Sequence, residues 1–157
     1  MNMTTIAYDG KTLAADSLAT VNGLSQRGSQ KIRKEGQEFF ALGGDSATFQ
    51  AWIEWWYKGA NPKGIPVGPG PSILLIVTAE GVHQVHSETP YADKEGIPLP
   101  DGREVHACGS GGEIALGAMM AGATAKEAVE IACMIDVYSG GEVQVIELPW
   151  AKESEAA

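Results

Sequence analysis

The chain has 157 residues, of which 44% are hydrophobic and 20% are charged, and its formal net charge is −9. This balance is typical of one compact globular domain and excludes an intrinsically disordered chain. The acidic net charge argues against nucleic-acid binding, which needs clustered Lys and Arg side chains. The longest apolar run, residues 73–77, is only strand-sized, and the first residues lack a signal-peptide pattern. We therefore expect a cytoplasmic protein that binds neither nucleic acid nor membrane.

A hairpin is predicted at the start of the chain, because Asp9-Gly10 favours a tight turn between two short apolar segments. A two-residue turn at this dipeptide places Thr4 across from Ala15 and next to Asp16. A threonine hydroxyl becomes a competent nucleophile when its own α-amine is free to act as the general base. The opening thus favours an N-terminal-nucleophile hydrolase. The predicted strands are residues 6–8 and 12–15.

The next segments predict a strand pair, a helix and a second hairpin. The helix begins near Asp45 or Ser46, either of which can cap it, and its aromatic stripe is typical of a core or subunit contact. Residues 59–71 are rich in Gly and Pro and exclude regular structure, and residues 88–102 are expected to form another loop. The predicted strands are residues 31–33, 39–42, 73–78 and 82–86, and the stripe is Phe49, Trp52, Ile53 and Trp56.

The last third predicts a strand, a glycine-rich turn, two helices and a final strand. Thr124 and Glu127 form a capping box at the start of the second helix. The predicted elements are a strand at 105–108, helices at 113–121 and 124–135, a strand at 143–148, and a loose tail over 149–157. Strands and helices in segregated runs indicate one α+β domain of sheets covered by helices.

The sequence contains three other candidate sites. The run from Gly109 to Gly112 lacks both the third glycine of a dinucleotide fingerprint and a Gly-Lys-Ser/Thr ending, which argues against nucleotide binding. Cys108 and Cys133 are interpreted as buried, reduced thiols, although Cys108 near His106 leaves a catalytic thiol open. His83 and His86 point to opposite faces of one strand and cannot readily share a metal, so no metal and no cofactor is expected.

Several short motifs occur in order along the chain, and together they resemble β-type proteasome subunits and the related HslV-like bacterial peptidases. The resemblance covers residues 4–148 and implies a size-reduced four-layer αββα sandwich of two antiparallel sheets, the fold of N-terminal-nucleophile hydrolases. It also implies a threonine endopeptidase that acts on polypeptides, assembles into a homo-oligomer and is fed by an ATPase unfoldase. The motifs are Thr-Thr-Ile, Leu-Ala-Ala-Asp-Ser, Gln-Lys-Ile, Gly-Gly-Asp-Ser-Ala, Gly-Ser-Gly-Gly and Asp-Val-Tyr-Ser-Gly-Gly.

The resemblance assigns a role to each site residue. Thr4 is the nucleophile, Lys31 lowers the pKa of its hydroxyl, and Asp16 holds Lys31 charged and oriented. A backbone N–H of Gly43 is the oxyanion donor. Three further side chains surround the α-amine and organise the proton path: Ser110, Asp136 and Ser139.

The chain departs from the family pattern at three points. Thr4 lies six residues before Gly10, where the relatives' threonine lies about nine or ten before, so the family position may alternatively fall at or before Met1. Residues 1–3 form a leader, and Asn2 should block removal of the initiator methionine. Thr4 then becomes N-terminal by self-cleavage or if translation starts at Met3. Residues 59–71 replace a helix of the relatives, and Leu18 replaces a basic residue.

Two alternatives to a peptidase stay open on the same fold. One is a catalytically inactive scaffold or assembly subunit, for which a retained Met1 is the expected sign. The other is an amidohydrolase that acts on small amides, because one fold hosts many activities.

Overall fold

The computed structural model describes residues 4–21, 24–26 and 28–150 of the chain. In these ranges, two five-stranded antiparallel sheets stack face to face, and helices cover their outer faces. The strands are β1 (Ile6–Tyr8), β2 (Thr12–Ala15), β3 (Ala19–Val21), β4 (Leu24–Gln26), β5 (Ile32–Glu35), β6 (Glu38–Gly43), β7 (Ile73–Thr78), β8 (Gly81–His86), β9 (Thr89–Glu95), β10 (Ile97–Pro98), β11 (Glu104–Cys108) and β12 (Gln144–Glu147). The helices are α1 (Phe49–Tyr57), α2 (Gly112–Met120) and α3 (Ala125–Ile135).

The strand order of the first sheet is β10-β11-β1-β2-β12, and that of the second is β5-β6-β7-β8-β9. Strands β3 and β4 form a separate two-stranded hairpin. Helices α2 and α3 pack on the first sheet, and α1 packs on the second. The predicted four-layer α+β sandwich is therefore confirmed.

The first two strands are buried on both faces because they lie in the middle of a sheet that is covered on both sides. Ile6 and Leu13 point into the layer between the sheets, whereas Ala7 and Ala14 point toward α2 and α3. This is the two-residue alternation of a strand, and the small alanines on the helical side let the helices approach closely. The inter-sheet layer is completed from the second sheet by residues such as Phe39, Ile73, Leu75 and Val77.

The predicted register of the first hairpin is wrong by two residues. Ile6, not Thr4, lies opposite Ala15, because the turn is centred on Gly10 and Lys11. The cause is the Asp9 carboxylate, which accepts hydrogen bonds from the N–H groups of Lys11 (2.9 Å) and Thr12 (2.7 Å). Asp9 and Thr12 therefore face each other at the two ends of the turn. A shift of two residues keeps every side chain on its face, so Thr4 still lies beside Asp16.

The aromatic stripe of α1 is core, as predicted, with one change. Phe49, Trp52 and Ile53 are buried against the second sheet together with Trp55. Trp56 is only partly buried and donates its indole N–H to Glu38 at 2.7 Å. The helix follows a short 3-10 turn (Ser46–Thr48) that Asp45 caps.

Two predictions near loops are corrected. Residues 88–102 were expected to form a loop, but they contain β9 and β10. Strand β9 is an edge strand of charged and polar residues, so it lacks the apolar alternation by which strands are predicted. In the predicted tail, Trp150 packs edge-on against Phe39, with ring centroids 5.5 Å apart. Residues 59–71 contain only a 3-10 turn (Pro62–Gly64), as expected of an irregular segment.

The expected leader, residues 1–3, and residues 151–157 of the expected tail lie outside the described residues. Within the described part of the chain, every helix is too short or too polar to span a membrane.

Candidate active site

Three side chains meet at one end of the sandwich. Thr4 lies just before β1, Asp16 just after β2, and Lys31 just before β5. The Lys31 Nζ donates to Thr4 Oγ1 at 3.0 Å and to Asp16 Oδ1 at 2.8 Å. The Thr4 hydroxyl donates to the same Asp16 oxygen at 2.9 Å. The shorter distance from Thr4 to the turn therefore leaves the threonine within reach of both predicted partners.

The Asp16 carboxylate is fully buried and satisfied by five donors. Its Oδ1 accepts from the Thr5 N–H at 3.0 Å, in addition to Thr4 and Lys31. Its Oδ2 accepts from the N–H groups of Leu18 (3.3 Å) and Gly140 (3.0 Å). A buried carboxylate held in this way is paired with a cation, has its acceptor oxygens satisfied and is fixed in orientation.

Lys31 is the cation of the site. Its side chain is 8% exposed, and burial lowers the pKa of its ammonium, while the charge of Asp16 and its hydrogen bond act in the opposite direction. An ammonium 3.0 Å from Thr4 Oγ1 stabilises negative charge on that oxygen. The pair can therefore activate the hydroxyl as a nucleophile.

A second polar cluster lies at the Thr4 nitrogen. The Thr4 N–H donates to Ser110 Oγ at 3.2 Å. Asp136 Oδ2 accepts from the hydroxyls of Ser110 (2.6 Å) and Ser139 (2.7 Å). Of these three side chains, Ser110 contacts the nitrogen directly, whereas Asp136 is linked to it through Ser110, and Ser139 through Asp136.

Burial raises the pKa of Asp136, but the hydrogen bonds from Ser110, Ser139 and the Tyr138 backbone outweigh it and leave the pKa below its usual value. The carboxylate is therefore ionised at neutral pH. It can accept and return a proton through the Ser110 hydroxyl, which is the arrangement expected of a proton path to an amine at position 4.

The glycine-rich loop after β11 is built for close approach to Thr4 and Thr5. Gly109 has φ +91°, and a Cβ at this position would overlap the Thr4 carbonyl. A Cβ at Gly111 would overlap Thr5 Oγ1. The Gly111 N–H donates to the Thr4 carbonyl at 3.2 Å. The loop thus packs directly against the Thr4 carbonyl and the Thr5 hydroxyl.

Gly43 is buried at the end of β6. The preceding Leu42 N–H donates to the Lys31 carbonyl at 3.0 Å, so Gly43 follows a direct backbone link to the segment that carries Lys31. Its role as an oxyanion donor stays a prediction.

The catalytic-thiol alternative has no support in the geometry. Cys108 lies in the core between the sheets, and burial raises its pKa to about 12. Cys133 is only partly buried, so the prediction of a buried thiol is correct for Cys108 and wrong for Cys133. Its partial burial still raises its pKa to about 11. The imidazole of His106 is bonded to Gln84 of the facing sheet. A thiol held protonated in this way is a poor nucleophile.

Sequence reasoning missed two residues that contact the site. Thr5 Oγ1 lies 2.7 Å from Ser139 Oγ, and Gln144 bonds to the backbones of Asp16 and Lys31. The Thr-Thr pair offered a signal for Thr5. A single glutamine on the predicted strand 143–148 offered none.

The fold is shared with solved structures over nearly its whole length. Eukaryotic HslV from Trypanosoma brucei superposes with a TM-score of 0.68 at 20% identity, over 92% of this chain and 97% of that one. BPH from Thiobacillus denitrificans superposes with a TM-score of 0.64 at 21% identity, over 92% and 97%. The same protein in complex with epoxomicin gives a TM-score of 0.64 at 21% identity, over 92% and 98%. No protein-family model and no curated protein matches the sequence. The predicted resemblance to HslV-like proteins is therefore confirmed at the level of the fold.

Proposed function

We propose that this chain is a threonine peptidase that hydrolyses peptide bonds in polypeptides, with Thr4 as an N-terminal nucleophile. One observation carries the proposal. The Thr4 hydroxyl lies within hydrogen-bond distance of a buried lysine–aspartate pair, and the N–H of the same residue donates a hydrogen bond to the Ser110 hydroxyl. The shared fold with HslV and with epoxomicin-bound BPH supports the same conclusion.

The reaction begins when the free α-amine of Thr4 takes the proton of its own hydroxyl, and Oγ1 attacks the scissile carbonyl. The charge of Lys31 stabilises the developing alkoxide, and the Gly43 N–H receives the oxyanion. The C–N bond then breaks, the leaving amine takes the proton from the Thr4 ammonium, and an ester remains on Oγ1. Water, deprotonated by the amine, hydrolyses the ester and restores Thr4.

This chemistry requires the bond between Met3 and Thr4 to be broken. In the unprocessed chain, the peptide bond to Met3 makes the Thr4 nitrogen an amide, which cannot accept a proton at neutral pH. Self-cleavage by the Thr4 hydroxyl would free it, as would translation from Met3 followed by removal of that methionine. Both routes give the same mature chain, which begins at Thr4.

The test combines intact-mass spectrometry with an α,β-epoxyketone probe such as epoxomicin. An epoxyketone reacts with both the hydroxyl and the α-amine of an N-terminal threonine. We expect a chain that begins at Thr4 and gains the mass of one inhibitor. Thr4→Ala should abolish the adduct and peptide hydrolysis, whereas Thr89→Ala, at an exposed threonine of β9, should change neither. A processed, folded chain that neither binds the probe nor cleaves a peptide library would refute the proposal.

A catalytically inactive subunit is the second candidate. It is favoured by the 1% exposure of Thr4 and by the peptide bond that joins its nitrogen to Met3. A purified chain that retains Met1 and shows no hydrolysis would establish this alternative. Turnover of small amides without peptide cleavage would instead indicate an amidohydrolase.

We also propose that the chain assembles into a homo-oligomer and receives substrate from an ATPase unfoldase. Self-association is supported by apolar side chains exposed at the end of α3 and just after it: Met134 (84% exposed), Ile135 (63%) and Val137 (81%). Isolated monomers rarely expose several large apolar side chains together. Light scattering at several concentrations tests the assembly, and stimulation of hydrolysis by an added unfoldase tests the partner.

A further inference from the structure

Gln144 lies where the two sheets meet, outside the set of predicted site residues. It begins β12, pairs in register with Ala15 of β2, and is half-buried. Its side chain therefore starts beside Asp16, on the first sheet. From there it extends to the segment before β5, which belongs to the second sheet.

Its amide group makes three hydrogen bonds, all to backbone atoms. Oε1 accepts from the Lys31 N–H at 2.9 Å. Nε2 donates to the carbonyls of Asp16 (3.0 Å) and Ser29 (2.8 Å). Rotating the amide by 180° would place donors against the Lys31 N–H and an acceptor against two carbonyls, so only one orientation satisfies all three bonds.

These bonds connect the two residues whose side chains form the ion pair. The backbone of Lys31 is linked to both sheets. Its carbonyl accepts a hydrogen bond from the Leu42 N–H of the second sheet, and its N–H donates a hydrogen bond to the Gln144 side chain of the first sheet. Asp16 is held through its carbonyl by the same amide group. Gln144 thus sets the backbone separation across which Lys31 must reach Asp16 and Thr4.

We propose that Gln144 is a positioning residue for the Asp16–Lys31 pair, and that its amide sets the distance between Lys31 Nζ and the Thr4 hydroxyl. The catalytic consequence rests on the proposed peptidase function. A lysine has a long, flexible side chain, so its head group is only as well placed as the backbone that carries it. Misplacement of a catalytic group by about 1 Å can cost on the order of 100-fold in rate.

The main variant is Gln144→Met, which keeps the length of the side chain and removes all three hydrogen bonds. The matched control is Gln37→Met, at an exposed position of the turn between β5 and β6. In Gln144→Met we expect kcat, and the maximal rate of epoxyketone inactivation, to fall about 10- to 100-fold while KM changes little. A role in general stability alone would not produce this split between kcat and KM in the folded protein.

Two further measurements do not depend on activity. Hydrogen exchange of the Lys31 amide should accelerate at least about tenfold in Gln144→Met, because its acceptor is lost. Crystal structures should show a longer Nζ–Oγ1 distance than the present 3.0 Å. Gln144→Glu serves if Gln144→Met does not fold. It keeps an acceptor for the Lys31 N–H but sets a carboxylate oxygen against the carbonyls of Asp16 and Ser29, so the same loss of rate is expected.

A Gln144→Met or Gln144→Glu protein with the wild-type kcat and an unchanged Nζ–Oγ1 distance would overturn the proposal. If the wild-type protein is itself unreactive toward the epoxyketone, the proposed function fails. The exchange rate of the Lys31 amide and the Nζ–Oγ1 distance then still decide whether Gln144 positions the pair.

Discussion

Replacing Asp16 by Asn should destabilise the protein strongly, and a second replacement, Lys31→Met, should restore part of the loss. Asp16 is fully buried and accepts five hydrogen bonds, and Lys31 is its paired cation. An asparagine in its place removes the negative charge and turns an NH₂ group toward donors that now lack an acceptor. Lys31 keeps its buried ammonium without a counter-ion.

The magnitude follows from these contacts. Removing one partner of a buried ion pair costs about 3–5 kcal/mol in the free energy of unfolding. Lys31→Met alone should cost less, about 1–3 kcal/mol, because Asp16 keeps the Thr4 hydroxyl and three backbone N–H donors. In the double variant no uncompensated ammonium is left, so it should be more stable than Asp16→Asn alone.

Urea unfolding at pH 7, followed by circular dichroism, measures all four proteins of this double-mutant cycle. Peptide hydrolysis is a separate readout, and under the proposed function every variant should lose it. A double variant that is less stable than the wild type by the sum of the two single effects, and therefore less stable than Asp16→Asn, would refute the reasoning. Lys31 and Asp16 would then contribute independently rather than as a pair.

Four further outcomes are expected. Because burial lowers the pKa of Lys31, kcat should decline on the alkaline side at a pH below 10.5, and activity sustained to pH 10.5 would contradict this. Between the lowered pKa and 10.5 the Lys31 contribution to stability should rise with pH, because the unfolded chain binds this proton more tightly than the folded chain. Ser139→Ala should raise the pKa of Asp136 toward its usual value, measured by carboxyl ¹³C titration, and should therefore lower stability at neutral pH, with the difference from wild type disappearing as the pH falls through the pKa of Asp136; an unchanged pKa would show that this bond does not matter. Iodoacetamide at pH 8 should leave Cys108 unmodified in the folded protein and modify it after unfolding. Gly109→Ala should lower stability by about 1–3 kcal/mol in thermal unfolding, because φ is +91° and the added Cβ would overlap a carbonyl.

Much of the first hairpin was predictable because its strands are short, apolar and bounded by a strong turn signal. The predicted bounds 6–8 and 12–15 match β1 and β2. The register was not predictable from Asp9-Gly10 alone, since the Asp9 carboxylate bonds to two following N–H groups and moves the turn by one residue. Turn composition indicates where a chain reverses, but side-chain contacts decide which pair closes the turn.

The side chains of the site were predicted from ordered motifs, and the structure brings Thr4, Asp16 and Lys31 together as expected. Gln144 could not be predicted, because its importance lies in backbone atoms contributed by two other segments. Strand β9 was missed for a related reason. Its pairing with β8 depends on a neighbour in space, while its own sequence has the polarity of a loop.

The lysine–aspartate pair joins chain segments that belong to opposite sheets, and this has a consequence for biosynthesis. Neither half of the sandwich carries the Thr4 hydroxyl with both of its partners, since the carboxylate comes with one sheet and the ammonium with the other. Under the proposed peptidase function, a newly made polypeptide would therefore acquire its hydrolytic competence only when the two halves have docked. Maturation at Met3 would then report completed folding, and an unfinished chain would pose no threat to its neighbours in the cell.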